Sequence, residues 1–400
     1  MSKNELIGAL DIGTYKTKFL ITSIDEKNFI NIHSKKTVHT QGVKKGNIVN
    51  IDKLIPIINT CIGQAEDEIK SEIQKLYVSI NSSQFKQFGL CQTRNIGSYK
   101  IDYEKDVQNL INNAVNIFQL NNKNQKIIHL FNSCFKLDKN NIVENPTNLK
   151  AESLESEVGI VSIDNNLIEN YKSVFEKCHL SVEKFFYSPF VSAILSSDQE
   201  EFEKGFVHID FGYDKTSVAI FEKGNLTHSH ILPIGSWHIT NDISKAFNLN
   251  YLLAEKIKID VGLNNSSKTL DFKDKDSNLL KISNDMLSQV IHARFEEKLE
   301  MLKKEIIYSK IFDKGCRKII ISGGGSNLKG LIDKMINFFN CDVTLAKQSF
   351  PVKDTEFNIF SDYMVCLGIT KLVFFKFNKE IISFKKKNKG FFEKLYDIFS

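Results

Sequence analysis

Apolar runs at 6–12, 18–24 and 29–33 alternate with short polar turns, a pattern that predicts a meander of strands. Across 53–73, apolar residues recur at 54, 58, 61, 62, 65 and 69, which is one face of a helix. "LYVSIN" (76–81) predicts another strand. From 82 to 162 the chain is rich in Asn, Lys and Gln and carries one helical stretch at about 104–118, so this region reads as an inserted small α/β unit. A strand at 158–163, a helix around 166–178 and a strand near 180–187 resume the first pattern. "GFVHIDFG" then restarts it, followed by helices at 238–247 and 252–261 and a long amphipathic helix at 285–310. "RKIIISGGGSNLKGLIDKMINFF" (317–339) is a strand, a glycine turn and a helix, with Ser326 and Asn327 expected to open that helix. Two halves that begin alike predict a duplicated α/β fold with a cleft between them.

The repeat is concrete. "LDIGTYKTKF" (10–19) and "IDFGYDKTSVAIF" (209–221) share Asp-x-Gly-x-x-Lys-Thr, so Asp11, Gly13, Lys16 and Thr17 correspond to Asp210, Gly212, Lys215 and Thr216. Such a turn between two strands exposes backbone N–H groups that can cradle phosphate oxygens, and glycine lets that backbone come close. Lys16 and Lys215 could add charge against the phosphates, while aspartates at strand ends suit a hydrated Mg2+ that bridges them. Either turn alone is also an ordinary β-hairpin. The glycine run Gly323-Gly324-Gly325 lets a base or ribose lie against backbone, although it is not the dinucleotide-binding pattern, which needs an acidic residue further on. Glu255 and Lys258, three apart, share one helix face and could equally be an exposed ion pair. The four elements together favour a nucleotide clamp.

Composition narrows the class. The chain has 400 residues, long enough for two domains, with 42% hydrophobic and 25% charged residues. Seven scattered cysteines without C-x-x-C spacing are expected to be free thiols of a cytosolic protein. The first residues lack the basic start and apolar stretch of a signal peptide, and no 18-residue apolar run suggests a membrane span. Net charge is +5, but Lys376–Lys389 alone carries six lysines and one acid, so the rest of the chain is neutral and a nucleic-acid-binding surface is not expected. The nine histidines show no metal-ligand spacing, and the single Trp237 is expected to pack.

The order of these motifs resembles the phosphate 1, phosphate 2 and adenosine motifs of the actin/heat-shock-chaperone/sugar-kinase superfamily. Within it the chain resembles the bacterial cell-division FtsA family, through "GALDIGTYKTK", "ENPTNLKAESLESEVGIV", "SPFVSAIL", "ILPIGSWHITNDISKAF" with "AEKIKIDVG", and "ISGGGSNLKGL". The resemblance implies an actin-like duplicated fold, two domains each with a mixed β-sheet and helices around a nucleotide cleft, with an inserted α/β subdomain in the first half. It implies a division into 1–81 plus 163–200, 82–162, 201–235 plus 308–375, 236–307, a basic linker 376–388 and a terminal helix 389–400. It also implies ATP and Mg2+ as cofactors. Gly13, Thr14, Tyr15, Lys16, Gly212, Lys215 and Thr216 would serve the phosphates, and Asp11 and Asp210 the metal. Glu255 and Lys258 would reach ribose and base, with Gly323, Gly324, Gly325 and Ser326 beside the adenosine. Arg294 would lie where the acidic C-terminal tail of FtsZ binds. The implied partners are FtsZ, further copies of the chain in an actin-like polymer, an anionic membrane surface and later division proteins, and the implied place is the cytoplasmic face of the membrane at the septum. One departure stands out. The family's second phosphate turn usually carries small residues after Asp-x-Gly, whereas here it reads Tyr213-Asp214-Lys215-Thr216. Asp214 sets a carboxylate where a glycine amide usually approaches phosphate, a costly meeting of like charges unless Mg2+ or Lys215 compensates.

In "KGFFEKLYDIFS" (389–400), Phe391, Phe392, Leu395, Ile398 and Phe399 form one apolar stripe on a helix. An aromatic-rich stripe behind a lysine-rich linker suits an anionic bilayer surface. Other readings within the superfamily are an active ATPase or small-molecule kinase, and a pilus-assembly adaptor of the same fold. The first of these needs a catalytic carboxylate that the sequence does not single out.

Overall fold

The computed structural model describes residues 5–375 apart from 223, 264–269, 274–278, 314, 316, 348–350 and 354–356. The basic linker 376–388 and the apolar stripe of Phe391, Phe392, Leu395, Ile398 and Phe399 lie outside the described residues.

Two five-stranded sheets carry the duplication. In the first, the order is Val182–Tyr187, Leu76–Ile80, Ile7–Ile12, Lys16–Ile24, Ile30–His39. In the second it is Asp342–Leu345, Lys318–Ser322, Phe206–Phe211, Thr216–Glu222, Asn225–Leu232, the same arrangement of two parallel strands beside an antiparallel meander. The central strands are buried along nearly their whole length because helices cover both faces, which is why they read as continuous apolar runs. The two hairpins also share a register: Asp11 pairs with Lys18, and Asp210 with Ser217.

Helix Ile51–Ile69 begins at Asn50, whose side chain accepts from the Lys53 N–H at 3.0 Å, and buries Leu54, Ile58, Cys61, Ile62 and Ala65. It ends at Ile69, the last apolar position of that face, where Lys70 turns left-handed at φ 55°. The strand expected at 29–33 runs on to His39, paired with Lys16–Ile24 apart from a register shift at His33. Strands Lys86–Asn95, Ser153–Asp164, Gln125–Leu137 and Asn141–Val143 form a separate four-stranded sheet with its own core, covered by helix Asn109–Asn121. A π-helical turn, Tyr103–Gln108, leads into that helix. "SPFVSAIL", whose conformation its sequence left open, is the buried helix Ser188–Ser196.

Two helices join the halves. Ser188–Ser196 follows the last strand of the first half and packs on the sheet of the second, at Phe206–Phe211 and Thr216–Glu222. Phe357–Phe375 follows the second half and packs on Ile7–Ile12 and Lys16–Ile24 of the first. The two helices also pack on each other, so a single core spans both sheets. The predicted long amphipathic helix is Asn284–Ser309, capped by Ser283, with a buried stripe of Leu287, Ile291, Phe295, Lys298, Leu299, Leu302 and Ile306. Among the described residues no helix is long and apolar enough to cross a membrane.

Candidate functional site

The two Asp-x-Gly hairpins open onto one cleft of about 490 Å³ between the halves. Asp11, Gly13, Thr14, Tyr15 and Lys16 line it from one side, and Asp210, Gly212 and Lys215 from the other. Glu255, Lys258 and the glycines Gly323, Gly324 and Gly325 line it as well. Each hairpin needs its glycine for the same reason. A Cβ at Gly13 would stand 2.7 Å from the Lys16 carbonyl oxygen, and one at Gly212 would stand 2.9 Å from that of Lys215.

Two residues expected at the nucleotide are placed otherwise, and Arg294, expected at a partner surface, is not part of the cleft. Thr216 is buried and its hydroxyl donates to the Ile234 carbonyl at 2.6 Å, so its side chain serves the sheet and does not line the cleft. Ser326 likewise turns its hydroxyl back onto the Gly323 carbonyl at 2.7 Å. Arg294 stands away from the cleft lining, forked onto Asp242 at 2.5 and 3.1 Å and onto Glu297 at 2.5 Å. The glycine turn also departs from expectation. Ser326 and Asn327 end a 3-10 turn, Gly324–Asn327, and the α-helix begins only at Leu331 after Gly330. Gly323 adopts φ +84°, and a Cβ there would meet Asp210 Oδ1 at 2.3 Å, whereas a Cβ at Gly324 would meet nothing within 4 Å. Gly323 therefore fits the turn against Asp210, and Gly324 is the position open to the cleft.

Several residues of the cleft carried no sequence signal of their own. Lys18 is legible once the hairpin register sets it opposite Asp11; its Nζ donates to the Asp362 carbonyl oxygen, which no local pattern foretells. Asn81 accepts from Lys215 Nζ through its carbonyl oxygen, and its side chain bonds Ser217 at 3.2 Å. Tyr15 stacks on Tyr213 across the mouth, ring centroids 4.7 Å apart at 15°, and Tyr213 accepts at its hydroxyl from that of Tyr251 at 3.1 Å. Lys298, a charge inside an apolar helical stripe, was detectable as an exception to periodicity.

Burial dominates the electrostatics. It raises the Asp11 carboxyl to about 6, a rise lessened by Lys18, reinforced by Asp210 and lessened again by Lys215. Asp210 is raised by burial too, against the hydrogen bond from Ser322 and the charges of Lys18 and Lys215. Two half-buried carboxylates facing one cleft, with Asp210 adding to the rise at Asp11, make a donor set for a hard divalent cation, so the residues present fit Mg2+. Lys258 is lowered by burial but held against Glu255 at 2.7 and 2.8 Å and Thr240 at 3.0 Å, which leaves that pair internally satisfied.

The family model described as "Cell division protein FtsA" matches residues 207–366, and that described as "SHS2 domain inserted in FTSA" matches 92–162; together they span more than half of the chain. The chain belongs to the FtsA family. It is 27% identical to the FtsA of Buchnera aphidicola subsp. Acyrthosiphon pisum over 410 residues, covering 98% of this chain and 96% of that protein. It is also 27% identical to the FtsA of Buchnera aphidicola subsp. Schizaphis graminum, covering 87% and 86%. Solved structures show the same actin-like fold. A PilM–PilN type IV pilus biogenesis complex aligns with TM-score 0.64 at 15% identity over 90% of this chain and 96% of that one. MreB5 of Spiroplasma citri bound to ADP aligns with TM-score 0.56 at 12% identity over 93% and 97%.

Against the FtsA pattern, the unusual Asp214 has a structural use. Its Oδ2 accepts from the backbone N–H of Lys45 at 2.7 Å, while the next residue, Lys215, reaches Asn81. Both side chains are more than nine-tenths buried and tie the second hairpin to the first half. Burial pushes the Lys215 amine down to about 8, opposed by Asp214, Asp11 and Asp210, so the lysine neutralises the carboxylates around it.

Proposed function

We propose that this FtsA-family chain binds ATP with Mg2+ in the cleft, assembles with further copies into an actin-like filament, and tethers FtsZ to the cytoplasmic face of the membrane, where later division proteins are recruited. The observation that carries the nucleotide part is the pairing of two equivalent hairpins, with Asp11 and Asp210 at matching positions, across one cleft. When bound, Mg2+ would supply positive charge that offsets both the phosphates and the two aspartates. Asp11 and Asp210 would hold it. The backbones at Gly13 and Gly212 would approach the phosphates, and the open side of Gly324 would admit the nucleoside. No residue is assigned to hydrolysis.

The remaining roles rest on family membership and on the sequence. The segment 236–307, containing Arg294, would receive the acidic FtsZ tail, whose carboxylates would compete with Asp242 and Glu297 for the guanidinium. The unit 82–162 would serve self-assembly and later partners, and 376–388 with 389–400 would bind the anionic bilayer surface.

The test is a calorimetric titration of ATP with Mg2+ into the full chain, beside Asp210→Ala. Binding that is lost in the variant supports the nucleotide reading. Binding equal in both proteins, or absent from the unaltered chain, overturns it.

A further inference from the structure

Lys298 is 2% exposed, yet it lines the cleft. Among the described residues nothing accepts a hydrogen bond from its amine and no carboxylate pairs with it. Its ammonium lies over the rings of Phe211 at 5.3 Å and Phe295 at 5.9 Å. The charged groups that bear on it, Lys258 and Arg294, are both cations. Burying an unpaired charge is costly, and the two cation–π contacts return only part of that cost. Helix Asn284–Ser309 therefore spends one position of its apolar stripe on a cation that the folded chain alone does not balance. Leucine or methionine would fill that position at lower cost.

The surroundings say what would balance it. Phe211 stands between Asp210 and Gly212 in the second hairpin, so the ammonium over its ring lies close to the phosphate turn while Lys298 lines the cleft. Glu255 is already taken by Lys258 and Thr240 and supplies no free carboxylate. A nucleotide's anionic part is its phosphate chain, and an ammonium is a donor only. We propose that Lys298 is an additional nucleotide-binding residue, its ammonium paired with the phosphate chain from the nucleoside side of the cleft. This rests on the nucleotide reading above. Burial holds the amine down at about 7, and an anion beside it would restore the charged form.

The experiment compares the full-length chain with Lys298→Met and Lys298→Arg. Affinities for ATP and adenosine are read by competition against a fluorescent ATP analogue, and thermal melts are recorded without ligand. Removing one partner of a buried charge pair predicts ATP binding at least about 30-fold weaker in Lys298→Met, with adenosine binding unchanged and Lys298→Arg keeping most of the affinity. The ligand-free melting temperature of Lys298→Met should equal or exceed that of the unaltered chain, because an uncompensated charge is gone. Unchanged ATP affinity overturns the proposal, as does a lower ligand-free melting temperature, which would make Lys298 structural. Equal losses for ATP and adenosine would put the contact on the nucleoside and overturn the phosphate assignment. No nucleotide binding by the unaltered chain overturns the nucleotide reading itself, and this inference with it.

Discussion

Asp214 Oδ2 accepts a hydrogen bond from the Lys45 N–H at 2.7 Å, across a separation of 169 residues. A carboxylate that the sequence sets against phosphate thus spends its acceptor on the opposite half of the molecule. With Lys215 on the Asn81 carbonyl and Ser217 on the Asn81 side chain, it makes a clasp at the cleft that is built from protein atoms alone.

Asp214→Ala should therefore destabilise the protein by about 1.5–3 kcal/mol, the usual worth of a hydrogen bond to a charged group. Asp214→Asn, which keeps an acceptor oxygen, should lose less. Chemical denaturation of both variants measures this. A carboxylate that served only the ligand would leave ligand-free stability untouched, and that result would remove the clasp.

Gly323 and Gly324 should behave oppositely. Gly323→Ala forces a side chain into φ +84° and onto Asp210 Oδ1, at a cost on the order of 1–3 kcal/mol, and should weaken Mg2+-dependent ATP binding by displacing that aspartate. Gly324→Ala meets open space, so stability should stay nearly unchanged while nucleotide affinity falls because the methyl group intrudes on the cleft. Melting curves and ATP titrations of the two variants separate these effects. Equal destabilisation in both would contradict the assignment.

His208 is fully buried in the central strand Phe206–Phe211, with Nε2 3.1 Å from the Ser322 hydroxyl and Nδ1 unpaired. Burial pushes its pKa down to about 3. The unfolded chain takes a proton on this residue below about 6.5 and the folded chain does not. The stability due to neutral His208 is therefore present above 6.5 and is lost progressively as pH falls toward 3, by up to about 1.4 kcal/mol per unit. Asp11, raised to about 6, works the other way: its contribution is full below the unfolded value and fades as pH rises through 6. Comparing the unaltered chain with His208→Asn from pH 7 to 5 isolates the histidine. The variant should show a shallower loss, and parallel slopes would rule this account out.

Removing residues 389–400 should abolish salt-resistant co-sedimentation with anionic vesicles, while the remaining lysines of 376–388, worth about 1 kcal/mol each near such a surface, should leave only salt-sensitive binding. Vesicle binding that survives the truncation in moderate salt would place the membrane contact elsewhere in the chain.

What the sequence determined by itself is what depends on near neighbours. Strand and helix periodicities fixed most elements, because pleat and helical repeat are local geometry. The repeated Asp-x-Gly-x-x-Lys-Thr announced two equivalent hairpins, and the structure returns them in matching sheets and register. Where local signals competed, the boundary moved: the 3-10 turn Gly324–Asn327 delayed a helix expected to open at Ser326 and Asn327 until Leu331. Only the tertiary structure decided which side chains share the cleft. Asp214 meeting Lys45, Lys18 reaching Asp362, and Lys298 coming to rest over Phe211 all join residues far apart in the chain. Those meetings depend on how two sheets dock through crossed helices, and a pattern read along one dimension carries no record of that packing.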